Sequence, residues 1–152
     1  EKAVDVEWRA AEPLKVANAR PRPCGYLLAA SETVAVQRLQ MLGVRVERID
    51  SAAPWQVERY EILSQSDGQR QDARGAIEDG EAIRALRVRP RMGRAVMPPG
   101  SFYVSLAQPL SPLVSAALEP DSQNSYAANR LLDIGGDRLL RVPGPVPSGA
   151  WH

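Results

Sequence analysis

Histidine and cysteine are nearly absent from this 152-residue chain, which contains one of each, His152 and Cys24. A catalytic zinc site with an open water position uses three protein ligands, usually including at least two histidines. The chain therefore cannot supply such a site from its own histidines. A single cysteine cannot form an internal disulfide bond, so the sequence favours neither an oxidising nor a reducing compartment.

Aromatic residues, lysine and long apolar runs are also scarce. Aromatics make up 5% of the residues, so the core has to be built mainly from valine, leucine, isoleucine and alanine. Lysine occurs only at Lys2 and Lys15, and the net charge is +1. This balance gives no overall attraction to nucleic acid or to acidic lipid. No apolar run approaches the roughly 20 residues of a membrane-spanning helix. We therefore predict no nucleic-acid partner and no membrane span.

Length and composition are those of one globular domain. The hydrophobic fraction of 44% and the charged fraction of 24% lie near the averages for folded proteins. Glycine and proline accumulate from Gly135 onward, so we predict one domain over residues 1–134 and a tail over residues 135–152 that packs only locally. Because the chain begins with Glu1 rather than Met, we expect it to be a processed or trimmed part of a longer protein.

A strand–helix–strand unit is the clearest local pattern. Tyr26–Ala30 is an apolar strand candidate, and Ser31 can cap a helix that extends to Leu42. Gly43 stands where a glycine commonly ends a helix, and Val44–Ile49 alternates like a strand. The predicted apolar stripe of this helix contains Val34, Ala35, Leu39, Met41 and Leu42.

The other segments predict an antiparallel sheet and further helices, and hence an α+β fold with a mixed, largely antiparallel sheet and two or three helices. Pro90 places the later part of its strand at a sheet edge. The predicted strands are Val4–Trp8, Trp55–Leu63, Ile83–Met92 and Ser101–Leu106; a turn is predicted at Ser66–Gly68, a polar loop over 69–80, and helices over Ser111–Leu118 and Tyr126–Leu132. The residues expected to meet the helices in one core are Val44, Val46, Leu86, Val88, Phe102, Val104 and Leu106.

Two stretches of the chain resemble one enzyme family. The first is PCGYLLAASETVAVQRLQMLGVRVERI, Pro23–Ile49, and the second is PPGSFYVSLAQPL with LEP, within Pro98–Pro120. In this order they are similar to the C-terminal, non-catalytic region of bacterial zinc metallocarboxypeptidases of the carboxypeptidase A type. The likeness is extended by Ser125, Tyr126, Asn129 and Arg130.

The resemblance implies an enzyme that removes C-terminal residues from peptides or related amides with zinc. The family's His-x-x-Glu pair, its later histidine and its glutamate base have no counterpart in this chain. We therefore expect no cofactor here, and zinc in an upstream peptidase domain. This chain would be an accessory domain that packs on that domain, shapes access to its cleft, or recognises a substrate such as a peptide or a cell-wall fragment. The resemblance slightly favours a periplasmic or envelope location over the cytoplasm.

Arginines on the predicted strand Ile83–Met92 and just beyond it are the best local argument for a binding surface. Arginine suits phosphate and carboxylate groups, and arginines spaced by two project from one face of a strand. Two interpretations stay open: a stand-alone binding module for an anionic partner, or a solvated face balanced by Glu58 and Glu61 on neighbouring strands. No aromatic residues are interleaved, which argues against single-stranded nucleic acid. The series is Arg84, Arg87, Arg89, Arg91 and Arg94.

Other candidate residues have simpler interpretations, and we assign no catalytic, cofactor-binding or metal-binding residue. Cys24 has no histidine partner except His152 and is expected to be a buried or incidental thiol. Ser101 does not lie in a G-x-S-x-G turn. The acidic residues expected to mark a loop rather than a calcium site are Glu78, Asp79 and Glu81. Those expected to stabilise a turn or cap rather than a polar pocket are Ser125, Tyr126 and Asn129.

Overall fold

A computed structural model describes residues 16, 18–72, 75–77, 80–148 and 150–151 and shows the predicted α+β fold. Two helices accompany a six-stranded sheet and a small two-stranded sheet, and every pairing between the described strands is antiparallel. The elements are β1 (Gly25–Leu28), α1 (Thr33–Met41), β2 (Glu47–Arg48), β3 (Ala53–Gly68), β4 (Gln71–Asp72), β5 (Gly75–Ala76), β6 (Ile83–Met97), β7 (Phe102–Ser105), α2 (Ser111–Leu118) and β8 (Leu139–Val142). The predicted strand Val4–Trp8 lies outside the described residues.

Strand β8 lies inside the sheet, where the strand order is β2-β7-β1-β8-β3-β6. The prediction of a tail from residue 135 is therefore wrong for Leu139–Val142. All four of these residues are buried and pair with β1, and Leu140 and Arg141 also pair with β3 on the other side. Burial on both faces of the sheet outweighs the glycines and prolines that flank this short run.

The strand–helix–strand unit is present with shorter elements than predicted. Helix α1 begins at Thr33 rather than Ser31, and the residue at its N-cap, Glu32, makes no side-chain capping bond. Gly43 follows the helix with a φ of +87°, a conformation that favours glycine. The second strand is limited to Glu47–Arg48. Strands β1 and β2 do not touch; both pair with β7, which lies between them.

Helix α1 buries a narrower face than predicted. Ala35 and Leu39 are buried as expected, together with Val36. Val34 and Met41 are exposed because successive helical residues turn by about 100°, which carries both away from the buried side. Leu42, also exposed, follows the last helical residue. Those three assignments to the core were wrong.

The hairpin of β3 and β6 is longer than the sequence pattern indicated. Strand β3 continues through a bulge between Ile62 and Ser64, so the turn predicted at Ser66–Gly68 is instead strand. The predicted loop contains the two-stranded β4–β5 sheet. Pro90 lies on edge strand β6 as predicted. The Arg84 N–H donates to Ala128, away from β3. Pro90 is an even number of residues further along β6, so its backbone nitrogen also points away from β3. The missing N–H of Pro90 therefore costs no hydrogen bond between the two strands.

The sheet carries a core on each face. The predicted core is confirmed: five of its seven residues are buried against both helices, and Val46 and Phe102 pack against them. The second face was not predicted; it contains residues such as Trp55 and Met97, with Trp151 packed against them.

Tyr126–Leu132 forms turns, so the predicted third helix is wrong. No helix in the described part of the chain is long and apolar enough to cross a membrane.

Candidate functional site

An arginine in the middle of the sheet is the centre of a buried polar cluster. Arg141 on β8 lies directly opposite Tyr26 on β1 and Glu58 on β3, so all three side chains share one sheet face. Its side chain is 2% exposed. The Nη1 atom donates to Glu58 Oε2 at 2.8 Å, and Nη2 donates to the carbonyl of Pro21. A buried guanidinium requires such partners, because an unpaired buried charge is strongly unfavourable.

Glu119, which directly follows helix α2, joins this cluster from above the sheet. Its Oε1 accepts a hydrogen bond of 2.8 Å from the Tyr26 hydroxyl and lies 3.1 Å from Arg141 Nε. The Arg141 contact is an ion pair whose N–H direction is not aligned for a hydrogen bond. The other carboxylate oxygen of Glu119, Oε2, accepts from the Tyr60 hydroxyl at 3.3 Å and from Arg20 at 2.8 Å. One carboxylate therefore connects α2 with β1, β3, β8 and the N-terminal connector.

The connector around Arg20 closes the cluster and borders a shallow hollow of about 260 Å³. Arg20 donates to Asp121 Oδ2 at 2.5 Å as well as to Glu119. The cluster contains two arginines and three carboxylates, and each carboxylate is paired with an arginine. Neither Glu119 nor Asp121 is left unpaired to act as a general base. The arrangement therefore stabilises the fold rather than offering a reactive group.

Burial and Glu119 together hold the two tyrosines of the cluster in their neutral form. Desolvation is the largest cause of the raised pKa of Tyr26, and the nearby Glu119 carboxylate adds to it. The pKa of Tyr60 is raised well above its ordinary value, first by burial and then by Glu119. Both hydroxyls therefore stay protonated near neutral pH and act as hydrogen-bond donors to Glu119.

Gln108 forms a second link, between β7 and the segment before β2. Its Oε1 accepts from the Arg45 N–H at 2.9 Å, and its Nε2 donates to the Arg45 carbonyl at 3.2 Å. The same amide donates to the Ser105 carbonyl at 2.6 Å. The side chain thus satisfies backbone groups that no neighbouring strand pairs. Gln108 belongs to the Q-P-L motif of the second family-like stretch.

The arginine face has the predicted geometry. Arg87, Arg89 and Arg91 alternate along β6 on one face and are exposed, whereas Arg84 and Arg94 lie on the opposite face. Glu61 pairs with two of them, at 2.9 Å to Arg89 and 2.7 Å to Arg91.

These contacts lower the pKa of Glu61, Arg91 contributing more than Arg89. Glu58 was expected to balance the same face; it pairs with Arg141 on the other face instead.

The cysteine and acidic candidates do not come together into a site among the described residues. The Cys24 side chain is exposed rather than buried, with its Sγ 3.6 Å from the Pro143 carbonyl, and His152 lies outside the described residues. Glu81 is exposed, while Glu78 and Asp79 also lie outside the described part. Within the described ranges, no three histidine, cysteine or acidic residues come close enough to hold a metal ion.

The serine and amide candidates stabilise turns. Ser125 Oγ donates to the Pro120 carbonyl at 3.1 Å and accepts from the Ala128 N–H at 3.0 Å, which confirms the predicted turn role. Asn129 donates to the Ser125 carbonyl at 2.7 Å. The Tyr126 hydroxyl is buried without a hydrogen-bond partner among the described residues, and burial raises its pKa. Ser101 is fully buried, and its hydroxyl also lacks a hydrogen-bond partner in that part of the chain.

Sequence reasoning missed the cluster around Arg141 because its members come from distant segments. One signal was available: Leu139–Val142 is a run of three apolar residues and one arginine between turn residues, which is typical of a short buried strand.

We compared the chain with protein-family models, with curated proteins and with solved structures, and none of these comparisons gave a match.

Proposed function

We propose that this chain is a non-catalytic accessory domain of a zinc carboxypeptidase, and that peptidase activity and zinc belong to a domain upstream of Glu1. The observation that carries the proposal is spatial. The two stretches that resemble the family contribute β1, α1 and β2, and β7 and α2. Strands β2, β7 and β1 are adjacent in the sheet, and both helices pack in one core. Stretches far apart in sequence thus form one continuous half of the fold.

The motif residues in these stretches contact one another, so the two stretches belong to one packed unit. Tyr26 of the first stretch donates to Glu119 of the L-E-P motif. Gln108 of the Q-P-L motif holds both backbone groups of Arg45, which follows Gly43 and Val44 of the first stretch. Each contact explains why a particular residue type stands at its position. The motifs therefore describe how this domain folds and name no reacting group.

An exposed apolar strip on α1 is the surface that we assign to the peptidase domain. Val34 and Met41 are two turns apart on the solvent side of the helix, and Leu42 lies next to Met41. Met41 is 85% exposed. Large exposed apolar side chains on one helix face, here with Gln37 and Arg38 between Val34 and Met41, are a feature of interaction sites. On this proposal the strip is covered in the parent enzyme, and the domain positions or shields the peptidase cleft.

The first experiment is to read the native reading frame upstream of Glu1. We expect a domain with His-x-x-Glu and a later histidine. That domain would then be purified with zinc, and its binding to the present chain would be measured by calorimetry, together with release of C-terminal residues from a peptide. A reading frame without the zinc motif would overturn the proposal.

Variants of the chain test the assigned surface. Met41→Asp should weaken binding to the upstream domain, because it introduces a charge at an apolar contact. Val96→Asp is the matched control, since Val96 is also exposed and apolar but lies on β6. Equal binding by both variants and the unmodified chain would exclude the α1 strip as the contact.

A second candidate function is a binding module for an anionic partner, and the shared exposed face of Arg87, Arg89 and Arg91 favours it. Glu61 neutralises part of that face. This function predicts binding that weakens with salt and that is lost in Arg87→Gln. Measuring the affinity for heparin at two salt concentrations distinguishes it from the accessory role.

A further inference from the structure

Arg84, at the start of β6, has a guanidinium group without a hydrogen-bond partner among the residues that the structure describes. Its backbone N–H donates to the Ala128 carbonyl at 2.8 Å. Its side chain makes no hydrogen bond or ion pair with any residue in the described part of the chain, and its Nε atom is buried. Arginine carries five N–H donors and remains charged at all ordinary pH values. A partly buried guanidinium without an acceptor is unfavourable, so this group calls for an acceptor that the described residues do not supply.

The side chain borders a hollow of about 320 Å³ in which two further arginines lie. Arg130 and Arg138 line the hollow with Arg84, together with the carboxylates of Glu32 and Asp133. Three positive and two negative side chains give the lining a net charge of +1. The hollow is thus suited to a small negatively charged group rather than to an apolar one.

Other donors already bind the two carboxylates in the hollow. Asp133 Oδ1 accepts from the Gly135 N–H at 3.1 Å, and its Oδ2 accepts from Arg138 at 3.2 Å. The Gly135 bond is the main reason that the pKa of Asp133 is lowered, and Arg138 and Arg84 add smaller effects. Glu32 accepts from the Ser31 hydroxyl at 3.0 Å. Neither carboxylate forms an ion pair with Arg84.

The backbone at Arg130 places its side chain at the rim of the hollow. Its φ is +59°, and among the described residues it is the one non-glycine residue with a positive φ. This conformation is disfavoured for residues with a Cβ, and it persists where the surrounding structure enforces it. The Arg130 N–H donates to the Ala127 carbonyl, and Nη2 donates to Asp67 at 2.7 Å. Asp67 is largely exposed, so a ligand can compete with it for the guanidinium.

We propose that this hollow binds a small oxyanion, a carboxylate or a phosphate group, with Arg84 as its main ligand and Arg130 and Arg138 as secondary ones. The site lies on the opposite side of the sheet from Arg87, Arg89 and Arg91. It is therefore separate from the exposed arginine face. The proposal does not depend on the accessory role, since it concerns side chains of this chain alone.

The test is a titration of the isotope-labelled chain with inorganic phosphate and, separately, with acetate, at constant ionic strength against sodium chloride. The Nε–Hε resonances of the arginines are followed by NMR. We expect a saturable shift of the Arg84 resonance with one of the two anions. Arg84→Gln should weaken binding at least about tenfold, because a charge-assisted pair is lost. Arg94→Gln removes the same charge from the same strand outside the hollow and should leave the affinity unchanged.

The two anions distinguish the ligand classes. Tighter binding of phosphate indicates a phosphorylated ligand, and tighter binding of acetate indicates a carboxylate ligand; either supports the site. The absence of a saturable shift with both anions, or an equal loss in Arg94→Gln and Arg84→Gln, would overturn it. If Arg84→Gln does not fold, as judged by circular dichroism, Arg84→Lys keeps the charge and removes the forked geometry, and it should still weaken binding.

Discussion

The Tyr26 hydroxyl donates a hydrogen bond of 2.8 Å to Glu119, across 93 positions of the sequence. Tyr26 belongs to a central strand, and Glu119 follows the helix that covers it. The same carboxylate contacts the buried Arg141, so this single pair brings together the strand, the helix and the ion cluster. Removal of the Glu119 carboxylate should therefore lower stability by more than the partial exposure of this side chain suggests.

Glu119→Gln should lower the free energy of unfolding by about 3 kcal/mol, because Arg141 would lose one of its two carboxylates while remaining buried. Guanidinium-induced unfolding measures this change. Asp137→Asn is the control: Asp137 pairs with Arg59 at an exposed site, and its loss should change stability by less than about 1 kcal/mol. Equal effects in the two variants would contradict a structural role for the cluster.

Stability should fall as the pH rises above about 10, the ordinary pKa of tyrosine. Tyr26 and Tyr60 have raised pKa values in the folded chain, mainly because they are buried. Their contribution is fully present below the unfolded pKa and is lost above it, since unfolded tyrosines release protons that folded ones retain. Each such tyrosine lowers the free energy of unfolding by up to about 1.4 kcal/mol per pH unit.

Unfolding measured at several alkaline pH values tests this dependence, and tyrosinate absorbance follows ionisation directly. Tyr26→Phe should make the decline shallower, because the substituted side chain no longer titrates. Ionisation of every tyrosine in the folded chain with a midpoint near pH 10, about their ordinary pKa, would disprove the prediction.

Gln108→Ala should destabilise the chain by about 1–3 kcal/mol, because both backbone groups of Arg45 would lose their side-chain partners. Thermal or chemical unfolding gives the change. Gln56→Ala provides the comparison, since Gln56 is exposed on β3. A Gln108 variant as stable as the Gln56 variant would show that water replaces these bonds without loss.

Gly25→Ala should also destabilise the chain, by about 1–3 kcal/mol, since overpacking a core forces neighbouring atoms apart. A Cβ at Gly25 would lie 2.6 Å from the Val104 carbonyl oxygen, which belongs to the paired strand and cannot move freely. Gly144→Ala adds the same methyl group where no atom lies within 4 Å, and it should be tolerated. Comparison of the two melting temperatures checks the prediction.

Local patterns in the sequence predicted most elements because each pattern depended on neighbouring residues. Alternation located β3, β6 and β7, and the Ser111–Pro112 pair located the start of α2. The sequence pattern overestimated the buried part of α1, since periodicity alone does not show how far a partner surface extends. It also predicted a helix at Tyr126–Leu132, where a run of turns packs against β6.

The ion cluster around Arg141 could not be predicted from local sequence patterns, and the reason is physical. Arg141 is buried because Glu58, Glu119 and the Pro21 carbonyl surround it, and these groups are separated from it by 22 to 120 positions. An arginine in a short apolar run gives no local indication of such partners. Pairing with strands on both sides is what fixes its position.

The position of β8 also has a consequence for synthesis. Three strands on one side, β2, β7 and β1, are joined to β3 and β6 only through β8 among the described pairings. A growing chain could assemble each part separately, but the two parts could not be joined into one sheet until residues 139–142 had left the ribosome. A pause or premature stop before that point would leave two open sheet edges, each available for pairing with another chain.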